Sequence, residues 1–198
     1  MLTQLPSLKS RLALLPSDTT YDSLLTFLIQ SLSNRFDLET NRTLARTENA
    51  TFEFDAFETE IAPPCYPIES VKSFALKSDE AEGCVALPQP AFLVRNSCVI
   101  SLALTLAQPT TLNQIPIAQI TYTGGYVLPG TNPGPGQTPL PSALEQAVIE
   151  QATYWFQCRD KLGLRISWPS GGEYRGFTNL DLLPSVQTVL SRFTRLQL

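Results

Sequence analysis

The spacing of apolar residues changes twice along the chain, and this limits the folds that the sequence can adopt. Between residues 21 and 36 apolar side chains recur at three- and four-residue steps, which is typical of an amphipathic helix. From residue 51 to 57 apolar and polar side chains alternate, which is typical of a half-buried strand. After residue 140 the helical spacing returns. The sequence therefore predicts an α+β fold with a β-rich segment between helical segments.

Four helices are expected, two before and two after the β-rich segment. Pro6, Pro141 and Pro184 each stand where a proline can occupy the first turn of a helix. Thr19 with Asp22 resembles a capping box before the second helix. The apolar stripe predicted for that helix is Tyr21, Leu24, Leu25, Leu28, Ile29, Leu32 and Phe36. We expect the four helices to form one bundle-like core.

The β-rich segment is predicted to form short antiparallel strands, in a small sheet or a sandwich. Strand-like runs occupy residues 51–57, 68–76, 84–87, 91–94, 98–106 and 115–122. Prolines separate these runs, and they favour edges and connections over central strands. The segment 125–139, which follows, is too rich in Pro and Gly for regular structure, so we expect an exposed loop that can reach away from the body.

Three parts follow from these patterns. Residues 1–47 and 140–198 are predicted to form the helical core, and residues 48–124 the β-rich antiparallel insertion. Residues 125–139 are predicted to form the extended Pro/Gly-rich loop.

The side chains needed for common catalytic and metal chemistry are missing or scattered. The chain has no histidine, which excludes Ser-His and Cys-His nucleophile activation. Its cysteines form no Cys-x-x-Cys pair, so buried, reduced thiols are expected rather than a zinc site: Cys65, Cys84, Cys98 and Cys158. The acidic runs are typical of a solvated surface. We therefore predict no catalytic residue, no cofactor and no bound metal.

Charged residues are few, and the net charge of the chain is slightly negative. Charged residues make up 16% of the chain and the net charge is −4, without any extended basic face for nucleic acid. A weakly charged surface favours coverage by partners, although a bland monomer surface rich in Ser, Thr and Gln would have the same composition. No apolar run approaches the roughly 18 residues that span a membrane. The N-terminus lacks the features of a signal peptide, so we expect synthesis and retention in the cytoplasm.

Several short sequence segments occur in the same order as in one known protein family, which they resemble. Ile120-Thr-Tyr-Thr-Gly-Gly-Tyr-Val-Leu-Pro combines a strand with a tight Gly turn, and Leu140-Pro-Ser-Ala-Leu-Glu-Gln-Ala begins a helix with proline. Asn41-Arg42 and Pro67-Ile-Glu-Ser-Val precede them, and Leu183-Pro-Ser-Val-Gln-Thr-Val-Leu follows. This order resembles the head-tail connector (adaptor) proteins of long-tailed bacteriophages. The resemblance is to a larger form, because compact members have only a short connection where this chain has its β-rich insertion.

The resemblance implies a structural protein of the virion neck, made in the host cytoplasm, and no enzyme. Adaptors form a homo-oligomeric ring, commonly of about twelve subunits, beneath the portal of the filled head. The ring joins the portal to the tail or to the next neck protein and lines the channel through which DNA leaves. The implied partners are further copies of the chain, the portal protein, a tail-side neck, terminator or tail protein, and genomic DNA passing without sequence-specific binding. No membrane is involved.

Two surfaces are candidates for these contacts. The last helix and the basic residues after it are predicted to dock on the portal through Pro184, Val189, Arg192, Phe193, Arg195 and Leu198. The loop, together with an exposed tryptophan, is predicted to contact a neighbouring subunit or the tail-side partner through Tyr126, Leu128, Pro129, Asn132, Pro135 and Trp168. Trp155, in contrast, is expected in the helical core.

Other functions fit the sequence less well. A head-closure or tail-terminator subunit is a different kind of neck or tail-completion protein, but those are mostly barrel-like and the predicted helices disfavour them. A small cytoplasmic binding module with a β-rich recognition domain is a further alternative. An enzyme would need carboxylates or a cysteine nucleophile, and no base is placed to activate Cys65 or Cys158.

Overall fold

A computed structural model describes residues 1–77, 83–106, 116–159, 165–166, 175–176 and 181–195. The chain divides into two compact units. The helical unit comprises Met1–Thr40 and Leu140–Phe193, and the β unit comprises Asn41–Pro139 and Thr194–Leu198.

Within the described residues, the helical unit contains four helices. They are α1 (Leu5–Arg11), α2 (Asp22–Thr40), α3 (Ser142–Cys158) and α4 (Pro184–Leu190). Helices α1 and α4 begin with a proline in the first turn, as the sequence predicted, and Pro141 is the N-cap of α3. A two-residue antiparallel ladder joins β10 (Arg165–Ile166) to β11 (Arg175–Gly176), within the range that was predicted to be helical core.

A buried lysine fixes the turn between α1 and α2. Lys9 is only 5% exposed, and its Nζ lies 2.5 Å from Asp22 Oδ1. The same ammonium donates to the carbonyl oxygens of Asp18 at 2.7 Å and Pro16 at 3.3 Å. A buried ammonium requires such partners because desolvation of an unpaired charge is costly. Asp22, predicted as half of a capping box, therefore pairs with Lys9.

The core of the helical unit lies where α2 and α3 pack together, with α1 and α4 added to them. Helix α2 buries Leu25, Ile29, Leu32 and Phe36, and Trp155 of α3 is buried as predicted. Leu24 was assigned to the packed stripe, and that assignment was wrong because Leu24 is 37% exposed on the other side of the helix. The four helices contact one another in pairs, but α1 and α4 have seven residues each, so a four-helix bundle describes them only loosely.

The β unit contains two antiparallel sheets among its described residues. The first has the strand order β1-β7-β3-β4, and the second has the order β2-β6-β5. The strands are β1 (Thr47–Asp55), β2 (Glu60–Ile61), β3 (Ile68–Lys77), β4 (Val85–Leu87), β5 (Phe92–Arg95), β6 (Val99–Leu102) and β7 (Ile117–Gly124). The α+β class and the antiparallel sheets are thus confirmed.

The two sheets share one apolar core. In the first sheet Phe54 pairs with Ala118 and Phe74 with Ile120, which places alternate residues of β1, β3 and β7 inside. The second sheet contributes Ile100 and Leu102, and the rings of Phe74 and Phe92 are 5.8 Å apart. This arrangement is a small sandwich, and it follows from the alternation in the sequence.

Two consecutive glycines end β7 and redirect the chain. A Cβ on Gly124 would lie 2.8 Å from Pro67 O, and one on Gly125, whose φ is +98°, would lie 2.6 Å from Ala45 O. The chain then forms β8 (Tyr126–Val127), which pairs in parallel with β9 (Thr138–Pro139). The expectation of a loop without regular structure was therefore wrong at both of its ends.

We expect Gly125→Ala to lower the free energy of unfolding by about 2–4 kcal/mol, because the new methyl group meets the Ala45 backbone and the positive φ is strained. Gly136→Ala is the matched control, since Gly136 has φ +80° but open space around it. The control should lose only about 1 kcal/mol. Urea denaturation of both variants measures the difference, and equal losses would show that the close approach does not matter.

Candidate docking surfaces

Helix α4, which carries the predicted portal-docking residues, is held by one buried glutamine. Gln151 of α3 is fully buried. Its Nε2 donates to Asp181 O at 3.2 Å, and its Oε1 accepts from Leu183 N at 2.7 Å. Val186 and Leu190 then bury one side of α4. The glutamine satisfies backbone groups just before the helix, which explains why an amide occupies a core position.

The other side and the end of α4 present the candidate residues. Pro184 is exposed at the start of the helix, and Val189 is half-buried. The helix ends at Leu190, and the turn after it holds Arg192 exposed and Phe193 half-buried. Leu198 lies outside the described residues. The structure therefore places Arg192 and Phe193 next to each other on a turn beyond the helix.

Arg195 lies in a different environment from Arg192. Its Nε donates to Ala62 O at 2.8 Å, and its guanidinium lies 4.9 Å from the centre of the Phe52 ring. Both partners belong to the β unit. The side chain is thus already engaged within its own chain, and portal contact would have to replace or accommodate these interactions.

A cation between two aromatic rings organises the nearby part of the β unit. Arg42 is 4% exposed, and its guanidinium lies 3.4 Å from the centre of the Tyr66 ring and 5.3 Å from that of Tyr126. It also donates to Tyr66 O. Tyr66 Oη in turn donates to Thr194 O at 3.3 Å, and burial raises the pKa of Tyr66. Stacking of this kind offsets the cost of burying a guanidinium.

Tyr122 forms a second buried contact next to the Gly124–Gly125 junction. Its hydroxyl accepts from Cys65 N at 3.0 Å, and the Cys65 thiol donates to Gly124 O at 3.1 Å. Burial raises the pKa of Tyr122 to about 12. The expectation of buried thiols holds for Cys65, whereas Cys98 and Cys158 are half-buried and Cys84 is exposed; none of these four described cysteines forms a disulfide.

The predicted loop is ordered at its base and exposed at its tip. Tyr126 was proposed as a contact residue on an exposed loop, but it is only 8% exposed. Its backbone N–H donates to Leu44 O and its carbonyl oxygen accepts from Arg46 N, each at 2.8 Å. Leu128 and Pro129 are half-buried, and Asn132 and Pro135 are exposed. The loop contact surface is therefore reduced to its tip. Trp168 lies outside the described residues.

Charged side chains on the β unit pair with one another. Arg46 donates to both carboxylate oxygens of Glu69, with Nε at 2.9 Å and Nη2 at 3.0 Å from them. Its Nη1 is 2.7 Å from Glu48, and the neighbouring guanidinium lowers the pKa of that carboxyl. Because these charges compensate each other at a surface, they add little stability and offer no concentrated field to a charged ligand.

The described residues include no group of three or more His, Cys, Asp or Glu side chains that could hold a metal ion. Among the helices that the structure describes, none is long and apolar enough to cross a membrane.

Comparison with known proteins gives matches among solved structures alone. No protein-family model matches the chain, and no curated protein matches it significantly. A chain from the neck of an empty gene transfer agent (GTA) particle, computed with C6 symmetry, superposes with a TM-score of 0.58 at 15% identity. A chain from the virion of a native GTA particle superposes with a TM-score of 0.54 at 15% identity. A chain from the neck of a native particle, computed with C12 symmetry, gives the same TM-score and identity. Each match covers 100% of this chain and 91% of the other.

This chain has the fold of a GTA neck protein. Because the match extends over the whole chain, it includes the β unit as well as the helical unit. The β-rich part, which sequence reasoning treated as a departure from the adaptor pattern, thus belongs to a fold found in these particles. Sequence similarity could not reveal this at 15% identity.

Gln151→Ala should release α4, because it leaves the Leu183 N–H and the Asp181 carbonyl without their partner. We expect a loss of about 2 kcal/mol in unfolding free energy. Amide exchange in residues 186–190 should become roughly tenfold faster or more. Ser185→Ala removes an exposed 3.1 Å hydrogen bond from α4 to Glu150 of α3 and should change stability by less than about 0.5 kcal/mol. Unchanged exchange in Gln151→Ala would show that the glutamine does not hold α4.

Tyr122→Phe tests the buried hydroxyl through its pH dependence. An unfolded tyrosine ionises near pH 10, and folded Tyr122 ionises near 12. The folded state therefore binds more protons between these values, and stability falls as pH rises through this window, by about 2 kcal/mol. The difference in unfolding free energy between wild type and Tyr122→Phe should shrink accordingly from pH 10 to 12. A difference that stays constant would refute a raised pKa.

Proposed function

We propose that this chain is the head-to-tail adaptor of a tailed phage or phage-like particle. In this role it forms a ring beneath the portal and joins the portal to the tail or to the next neck protein. The observation that carries the proposal is the fold match, over the whole chain, to a protein in necks computed with sixfold and twelvefold symmetry. The chain would then act in the neck of the virion as a structural protein and not as an enzyme.

A ring of about twelve copies suits the composition of the chain. Each copy carries a net charge of −4, so the assembled ring would be strongly acidic. Like charge repels phosphate at short range, which allows DNA to pass through a channel without being held. The paired charges around Arg46 agree with this, because they leave no basic patch at that surface.

For portal docking we propose the end of α4 and the turn after it. Phe193 supplies an apolar anchor and Arg192 a charged contact, and Val189 is the half-buried residue one turn earlier. Gln151 supports this surface by fixing where α4 begins. The exposed tip of the loop, with Asn132 and Pro135, is our candidate for contact with a neighbouring subunit or with the tail-side partner.

Co-migration with the portal protein tests the proposal directly. Wild-type chain should co-migrate with assembled portal rings in size-exclusion chromatography. The double variant Arg192→Glu/Phe193→Ser should bind roughly tenfold more weakly or worse, because it removes the anchor and reverses the charge.

Gln187→Glu is the matched control, since it changes charge on the exposed side of the same helix. It should co-migrate like wild type. A double variant that binds normally would remove the end of α4 from the docking surface. A wild-type chain that never co-migrates with portal would overturn the adaptor assignment.

A further inference from the structure

Helix α2 exposes apolar side chains on the side opposite its core residues. Phe27 is 67% exposed, Leu38 81% and Leu24 37%. With about 3.6 residues per turn, these three project from one side of the helix, and Leu25, Ile29, Leu32 and Phe36 project from the other. We call Leu24, Phe27 and Leu38 the α2 stripe. It spans about 21 Å along the helix at 1.5 Å per residue.

The polar side chains beside the α2 stripe compensate one another. Gln30 Nε2 donates to Asn34 at 3.2 Å, and Arg35 pairs with Glu39 at 3.4 Å. Arg35, the cation that α2 carries, is therefore already paired with a carboxylate. Such a surface lacks the lone cations that would bind phosphate groups or an acidic partner, and it fits an occupant that is itself apolar and uncharged.

A surface with that character exists on the β unit. Among the described strands, β5 lies at one edge of its sheet, where Leu93 is 69% exposed on one face and Val94 40% exposed on the other. The neighbouring charges, Arg95 and Glu60, pair at 2.9 Å. An exposed edge strand has unpaired backbone N–H and C=O groups that can pair with a strand of another chain. Proteins therefore generally cover such edges or place charged side chains on them. An apolar edge strand with its charges already paired therefore fits coverage by a partner.

We propose that the α2 stripe of one copy packs against the β5 edge of the neighbouring copy, as the repeating contact of a ring. The inference rests on the proposed function and deepens it by naming the contact. In a ring with rotational symmetry, each copy contacts its two neighbours through two different surfaces, and one surface must be complementary to the other. The α2 stripe and the β5 edge are two such surfaces, and both are apolar.

Site-specific photo-crosslinking tests the contact. The full chain, carrying benzoylphenylalanine in place of Phe27, is irradiated at high micromolar concentration, with and without portal rings. A covalent dimer that maps by mass spectrometry to β5 of the second copy is expected. No covalent dimer in either sample, or a crosslink that maps elsewhere, overturns the proposal.

Substitution provides a second, independent measurement. Phe27→Glu/Leu38→Glu should weaken self-association roughly tenfold or more in light scattering, because it places unpaired charge in an apolar contact. Both positions are exposed in the single chain, so the variant should fold normally, which circular dichroism checks. Leu15→Glu is the control, since Leu15 is 70% exposed in the turn before α2, and it should associate like wild type. Equal association of the double variant and wild type contradicts the proposal.

The outcomes separate this contact from the adaptor assignment. If wild type co-migrates with portal but the double variant self-associates normally, the α2 contact is wrong and the adaptor assignment stands. If the double variant loses self-association but wild type never binds portal, the contact stands and the assignment falls.

Discussion

The close approach of two backbone segments at Gly124 and Gly125 determines how the β unit is built. At Gly124 the backbone of β7 meets the carbonyl oxygens of Cys65 and Pro67, and at Gly125 it meets Ala45. No side chain fits at either position. This approach allows Tyr126 to bond with both Leu44 and Arg46, and it positions the start of the loop. The buried hydroxyl of Tyr122 and the thiol of Cys65 then satisfy the polar backbone groups around the junction.

Local patterns in the sequence were sufficient to predict the four helices, the longer strands and the α+β class, but not the two-residue strands. Helical spacing and first-turn prolines located the helices, alternation located β1, and strand-like runs separated by prolines located β3 to β7. These signals work because each depends on which side of a single element is buried. The spacing of apolar residues did not show that Leu24 lies on the exposed side of α2. Apolar residues on both sides of one helix give overlapping three- and four-residue spacings.

Interactions between residues distant in sequence could not be predicted in the same way. Nothing in the local sequence marks Lys9 or Arg42 as buried, yet Lys9 lies against carbonyl oxygens and Asp22, and Arg42 lies between aromatic rings. Gln151 lies on the buried side of α3, but its partners lie some thirty residues further on. Arg195 was expected to be available for docking and is engaged by Phe52 and Ala62. Only the fold brings these groups together.

The distribution of charge connects the fold with the proposed assembly. Few charges are present, and several of those described are buried with partners or paired at the surface, as for Arg46, Arg95 and Arg35. Apolar side chains, in contrast, remain exposed on both units, on α2 and at β5. A chain that acted alone in water would gain solubility from the opposite arrangement, with free charges outside and these side chains covered. The observed pattern supports the proposal that these apolar surfaces are covered by further copies of the chain.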